Sequence, residues 1–229
     1  MSGPYPTGGM SPKGTTTPVH INLAEVNSFD KKVLCTAICK CKAAPAIGKN
    51  GQSLKQVCVS KALSELDEVL SHKSQYKPEI NYDMTKSPPA PIMSRDVETK
   101  GHSWLRGWID KYWASDADHP PFKAGQGMVR RPDVVIVKDS SKPPTQDNIK
   151  QVVEIKFEDD VWGREQMADY ETISGKGKLA SLEPDDCACD STDSEPPKIP
   201  VEDMGKLGTL AAILYFLLTK KPPPRVLAM

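Results

Sequence analysis

The sequence predicts an α/β domain, and three observations predict it. Residues 134–137 (VVIV) form a β-branched run and residues 149–157 (IKQVVEIKF) form a second. Between them, residues 138–148 hold two prolines, two serines and two aspartates. Strand, polar turn, strand is the pattern of adjacent antiparallel strands. The third observation is helical spacing on both sides of this pair. Leu54, Val57, Cys58, Ala62, Leu63, Leu66, Val69 and Leu70 recur every three or four positions over 52–70, and a shorter helix is expected over 165–173.

The other elements follow in chain order. Residues 1–18, rich in Gly, Pro, Ser and Thr, read as a flexible leader. Residues 19–86 form an N-terminal helical, cysteine-containing segment, with short mixed pieces around the cysteines before the helix at 52–70. Residues 87–92 (SPPAPI) break the chain. A helix is predicted over 95–113, with Trp104, Leu105, Trp108, Ile109 and Tyr112 as an apolar stripe packed into the core. Residues 174–199 read as a polar insert, and 201–219 as a final helix stopped by three prolines. The apolar run 210–218 within it is too short to span a bilayer, which takes about 20 residues. It is expected to pack against the Trp104/Trp108 stripe. The domain proper is then 87–229.

Thirty lysines and arginines balance thirty aspartates and glutamates in this 229-residue chain, so no overall basic surplus marks a nucleic-acid binder. A local patch such as Arg130-Arg131 can still contact phosphate. No charged n-region followed by an apolar run stands at the start, so no secretory signal peptide is expected. Cys35, Cys39, Cys41 and Cys58 could bind zinc, but their spacing departs from paired C-x2-C. Reduced thiols, or disulfides formed outside the cytoplasm, are the alternatives, with Cys187 and Cys189 making up the six.

The residues with chemistry sit on the two strands. Arg131-Pro132-Asp133 opens the first, and Glu154-Ile155-Lys156 lies in the second, 21 positions on. Side chains alternate along a strand, so Glu154 and Lys156 share one face and Ile155 takes the other. Two carboxylates supply hard oxygen ligands for a divalent cation, and an adjacent lysine suits phosphodiester hydrolysis. A lone E-x-K is usually a solvated charged face; the preceding Pro-Asp makes the pair informative. Gln166 and Tyr170, four apart on the next helix, share a face and can reach the same site.

The string RRPDVVIV…VVEIKF…QMADY resembles the VRR-Nuc branch of the PD-(D/E)xK nucleases, in particular antibacterial toxins delivered by type VI secretion. Closely similar restriction-endonuclease-fold toxin families share these features. The resemblance implies a PD-(D/E)xK restriction-endonuclease-like core, a mixed central sheet flanked by helices, with helical extensions at both ends. It implies Asp133 and Glu154 as ligands of Mg2+ or Mn2+, Lys156 as the catalytic lysine, and Gln166 and Tyr170 as supporting catalytic residues. The family pattern adds a glutamate on a helix before the Pro-Asp strand. Glu98 is the choice for this third metal ligand, with Asp110, Glu65 and Glu68 open. His119, in the loop before the strand, is a further candidate, though a lone loop histidine is usually structural.

The function expected on this resemblance is a metal-dependent DNase that cuts double-stranded DNA in the cytoplasm of a target cell. It would be carried there by a contact-dependent secretion system through a delivery component, without a signal peptide or membrane attachment. A cognate immunity protein would neutralise it in the producing cell. A repair or mobile-element nuclease of the same fold is the alternative. An inactive binding module is a third reading, disfavoured because Asp133, Glu154 and Lys156 are all present.

Overall fold

A computed structural model describes residues 23–189, apart from breaks at 44–45, 48, 50–52, 159 and 164. The leader at 1–18 and the helix expected at 201–219, with its packing on Trp104 and Trp108, lie outside the described residues. Helix α1 (Ser28–Ala43) leads to a two-residue ladder of β1 (Ala46–Ile47) with β2 (Ser53–Leu54), then α2 (Lys55–Val69). Strands β3 (Tyr76–Pro78), β4 (Tyr82–Asp83) and β5 (Ala90–Pro91) follow, then α3 (Leu105–Trp108), which runs into a π-helical turn at Ile109–Trp113. The chain continues through β6 (Val129–Arg130), β7 (Val134–Val137), β8 (Ile149–Ile155), α4 (Gln166–Ser174) and β9 (Leu179–Leu182), and a 3-10 turn at Asp185–Cys187.

The main sheet has the order β3-β7-β8-β9, antiparallel except for the parallel β8–β9 pair. A second, small antiparallel sheet has the order β5-β4-β6. The main sheet is mixed and flanked by helices, as the resemblance implies. Alternation along the strands divides its side chains between two cores. Val134, Ile136, Val153, Ile155, Ala180 and Leu182 face α1 and α2. Val135, Val137, Val152 and Leu179 face α4, through Tyr170 and Ile173. A bulge breaks the β7–β8 ladder, where Ile136 pairs with Gln151 but Val137 with Ile149, leaving Lys150 extra. Its ammonium reaches Asp30 of α1 at 2.6 Å.

Helix α1 was not expected as a unit. Asn27 caps it, its side-chain oxygen accepting from the Phe29 and Asp30 amides at 3.1 Å each. Cys35 and Cys39, one turn apart, bond Cys187 and Cys189, and Cys41 bonds Cys58 of α2. All six cysteines are thus paired as disulfides, one of the alternatives the sequence leaves open.

Three expectations are corrected. The helix over 95–113 is only α3 and its π turn; residues 95–103 form bends and turns. A Cβ at Gly101 would stand 2.8 Å from Ile80 Cδ1, so this stretch is pressed against the core as irregular chain. The aromatic stripe is not uniformly core. Trp104 is 66% exposed, its ring lying across Gly107, and of the stripe only Ile109 is buried, with Trp113 outside the stripe buried beside it. The insert at 174–199 is not a loop throughout, because β9 extends the sheet from inside it. No helix among the described residues is long and apolar enough to cross a membrane.

Two of the three disulfides from α1 span 152 and 150 positions, holding the segment after β9 onto the N-terminal helix. Replacing both pairs together, Cys35→Ala/Cys187→Ala with Cys39→Ala/Cys189→Ala, should lower the unfolding free energy by about 2–5 kcal/mol. Urea unfolding of parent and variant measures this, and equal midpoints would contradict it.

Candidate active site

Asp133 stands where the β3–β7 ladder begins, its carbonyl accepting from the Glu79 amide at 3.0 Å. Its side chain turns toward β8, and Oδ2 accepts from the Ile155 amide at 2.8 Å. The α4-facing side of β8 carries Glu154, 3% exposed, and just beyond the strand end Lys156, 7% exposed. The Lys156 amide donates to Leu182 O at 3.0 Å, so the parallel pairing with β9 continues through this position.

Lys156 Nζ donates to Glu154 Oε1 at 2.9 Å and to Val161 O at 3.3 Å, and lies 4.8 Å from the Trp162 ring centre. Gln166 Nε2 donates to the same Glu154 Oε1 at 2.6 Å and to the Tyr170 hydroxyl at 3.2 Å. Tyr170 in turn donates to Arg131 O at 2.8 Å, tying α4 to the chain just before Asp133. Gln166 is itself oriented by the Gly163 amide, 2.8 Å from its Oε1. The structure thus brings Asp133, Glu154, Lys156, Gln166 and Tyr170 to one end of the sheet. Glu154 Oε1 holds two donors, but Oε2 is buried without any partner.

The electrostatics follow from two carboxylates and one ammonium in a place closed to water. Burial, and then the Glu154 charge, push the Asp133 carboxyl up to about 7, against the opposing pull of the Ile155 amide and Lys156. Burial and the Glu154 charge also raise the Tyr170 hydroxyl, which therefore stays a neutral donor. A bare carboxylate oxygen beside a carboxyl that resists ionisation fits a hard cation. Oxygen donors of this kind suit Mg2+ or Mn2+.

Other expected residues lie elsewhere. Glu98 is exposed in a turn, not on a helix, because the chain there is irregular. The α2 residues beside Asp133 are Gln56, Val59 and Ser60, all in the first half of the helix. Glu65 and Glu68 lie in its second half, and Asp110 is exposed on Arg106 at 3.0 Å. Among the described residues no group of three or more His, Cys, Asp or Glu is placed to hold a metal ion. A cation here would rest on Asp133 and Glu154, with water and substrate oxygens completing its shell, as magnesium commonly does.

His119 serves the fold. Its ring stacks on Trp113 at 4.3 Å, with Nε2 2.6 Å from Asp83 and Nδ1 2.9 Å from Trp113 O. Arg130 is paired with Asp169 of α4. Arg131, about half exposed, lies 3.6 Å from Glu79.

Sequence reasoning did not single out Gln56, Glu79 or Trp162. Gln56 Nε2 donates to Ile155 O at 3.0 Å, on the peptide strand that holds Asp133. Glu79 adds to the upward push on Asp133 and sits at φ 49°, a left-handed conformation that a glutamate rarely takes. Trp162, in the polar stretch between β8 and α4, carries no pattern that would mark it.

Residues 71–182 match the VRR-NUC domain. The matched stretch opens just after α2 and closes with β9, so it contains every strand of the main sheet and all five clustered residues. The VRR-NUC domain supports a nuclease. No curated protein and no solved structure matches the chain.

The Asp133 carboxyl gives a signed pH prediction. Folding raises it from an ordinary 3.8 to about 7, so the fold favours its neutral form. That stabilisation is complete below the ordinary value and is lost as pH rises through about 7. With divalent cations chelated, the unfolding free energy should fall across this window by up to about 1.4 kcal/mol per pH unit. Asp133→Asn, which keeps an oxygen for the Ile155 amide, should flatten the slope. Urea unfolding in EDTA at several pH values reads it, and identical slopes in parent and variant would contradict the assignment.

Proposed function

We propose that the chain is a metal-dependent DNA endonuclease of the VRR-Nuc, PD-(D/E)xK type, acting on double-stranded DNA. One observation carries this reading: the buried, partnerless Oε2 of Glu154 beside an Asp133 carboxyl that burial holds against ionisation. Asp133 and Glu154 would hold Mg2+ or Mn2+. When bound, the ion supplies charge neutralisation at the phosphate and lowers the pKa of water. Lys156 stands at the same place, where its side chain can hold the attacking water and face the charge developing on phosphate. Gln166 and Lys156 together fix Oε1 of Glu154, so that Oε2 would be the oxygen available to hold the ion. Tyr170 links this arrangement to the Arg131 carbonyl, and the exposed part of Arg131 is available to a phosphate.

The biological setting we propose is a type VI secretion effector that cuts the DNA of a rival cell and is neutralised by a cognate immunity protein. The resemblance of the motif string supports this, and three disulfides suit a protein that meets an oxidising compartment. Expression inside a susceptible cell should stop growth, and Glu154→Gln should relieve the arrest. Growth arrest indifferent to that replacement would count against a nuclease toxin.

Plasmid incubated with the purified chain should be cut in Mg2+ or Mn2+ and spared in EDTA. Asp133→Asn, Glu154→Gln and Lys156→Met should each reduce cutting by about 10²-fold or more while the fold is kept. Gln166→Ala and Tyr170→Phe, which act through Glu154, should cost about 10–100-fold. Cleavage undiminished by excess chelator would sink the metal mechanism.

A further inference from the structure

Among the described residues, two buried side-chain polar atoms lack a hydrogen-bond partner: Glu154 Oε2 and the hydroxyl of Ser181. They are neighbours. In the parallel β8–β9 ladder Glu154 pairs with Ser181, so their backbones stand about 4.8 Å apart. Ala180 and Leu182 face the core under α1 and α2, and Leu179 faces α4. By alternation Ser181 also points to the α4 side, the side of Glu154.

Each buried polar atom left without a partner costs about 1–3 kcal/mol. An alanine at this position would remove the unpartnered hydroxyl and with it that cost. Tolerating two such atoms at one register position implies a polar occupant between them. A hydroxyl offers one donor and two acceptor sites, and a carboxylate oxygen only accepts. A water molecule satisfies both: it can accept from Ser181 and donate to Glu154, or sit in the hydration shell of an ion on Glu154.

We propose that Ser181 is a positioning residue for the metal site, its hydroxyl holding a water of the cation's hydration shell against Glu154. The proposal rests on the metal-dependent reading above. It assigns to β9, the strand beside the E-x-K strand, a share in the site. Ser181 acts through that water and through Glu154, and touches neither the phosphate nor the nucleophile.

The role predicts two effects of opposite sign. Ser181→Ala removes a hydroxyl that no protein group partners, so in EDTA the variant should melt at the same temperature as the parent or higher. The same replacement should weaken Mn2+ binding, read by calorimetry without DNA, by about 10–100-fold. Ser181→Thr, which keeps the hydroxyl on a strand that favours β-branched residues, should restore most of the affinity. Mn2+ affinity equal in parent and Ser181→Ala overturns the proposal while leaving the metal reading intact. A parent that binds no Mn2+ overturns both. A Ser181→Ala variant that melts lower in EDTA would make the hydroxyl an ordinary structural group and overturn the positioning role alone.

Discussion

Strand β8 has both faces covered, and yet it carries a glutamate and, one step past its end, a lysine. Placing charge there is costly, because an ion removed from water loses several kcal/mol of solvation that its partners must return. Much of the surrounding structure can be read as the answer to that constraint. Lys156 neutralises Glu154 and is itself held by the Val161 carbonyl and the Trp162 ring. Helix α4 is set so that Gln166 and Tyr170, one turn apart, meet the carboxylate and the Arg131 carbonyl together. The helix begins after Glu165 at φ 64° and ends at Gly175 at φ 85°, so left-handed residues mark both ends of its nine residues. Glycine takes such a conformation freely; Glu165 takes it at a cost, and lies immediately before the residue that grips Glu154.

Two of the other buried carboxylates, Asp67 and Asp30, are treated differently. Asp67 accepts from Lys77 at 2.8 Å and from the Ser74 amide at 3.0 Å, with His72 at 3.3 Å on its second oxygen. Asp30 accepts from the Tyr76 hydroxyl at 2.9 Å and from Lys150 at 2.6 Å, as well as from Asn27. Both oxygens of each are thus used, and both residues pin helices to the main sheet. These are structural solutions to burial. Glu154 has one oxygen doubly bound and one bare, so its surroundings hold it in place without satisfying it. That difference separates a site from a staple within one molecule, under one set of physical rules.

How much of this was legible in the sequence depended on the length and regularity of each element. Strands β7 and β8, α2 and α4 are long enough for their periodicity to show, and the E-x-K alternation follows from β8 alone. The two-residue strands β4, β5 and β6 have no period to read. Helix α1 was obscured because cysteines and lysines occupy positions where a plain apolar stripe would stand, although Val33, Leu34, Ala37 and Ile38 are buried. Strand β9 is four residues flanked by Gly and Lys, which reads as loop until β8 is there to pair with it. The third carboxylate failed for a related reason. The assignment to Glu98 presumes a regular helix, and the close approach of Gly101 to Ile80 shows that the backbone is shaped by packing instead.

The limits of the VRR-NUC match do not coincide with those of the folded unit. The match starts at residue 71, but one face of the main sheet is covered by α1 and α2, which precede it. Nine of the buried residues in that core, from Val33 to Leu66, come from these two helices. Without them Val134, Ile136, Val153 and Ile155 would face water, and the strand that carries Glu154 would lose its support on the side away from the charge. Gln56 of α2 also reaches Ile155 O, the far side of the residue whose amide holds Asp133. The first half of α2 therefore belongs to the site as well as to the core. The disulfides extend the argument, since Cys41–Cys58 joins the two helices and the pairs to Cys187 and Cys189 bring the chain after β9 back onto α1. A carboxylate left bare in a buried place needs rigid walls on every side, and here they come from both ends of the described chain.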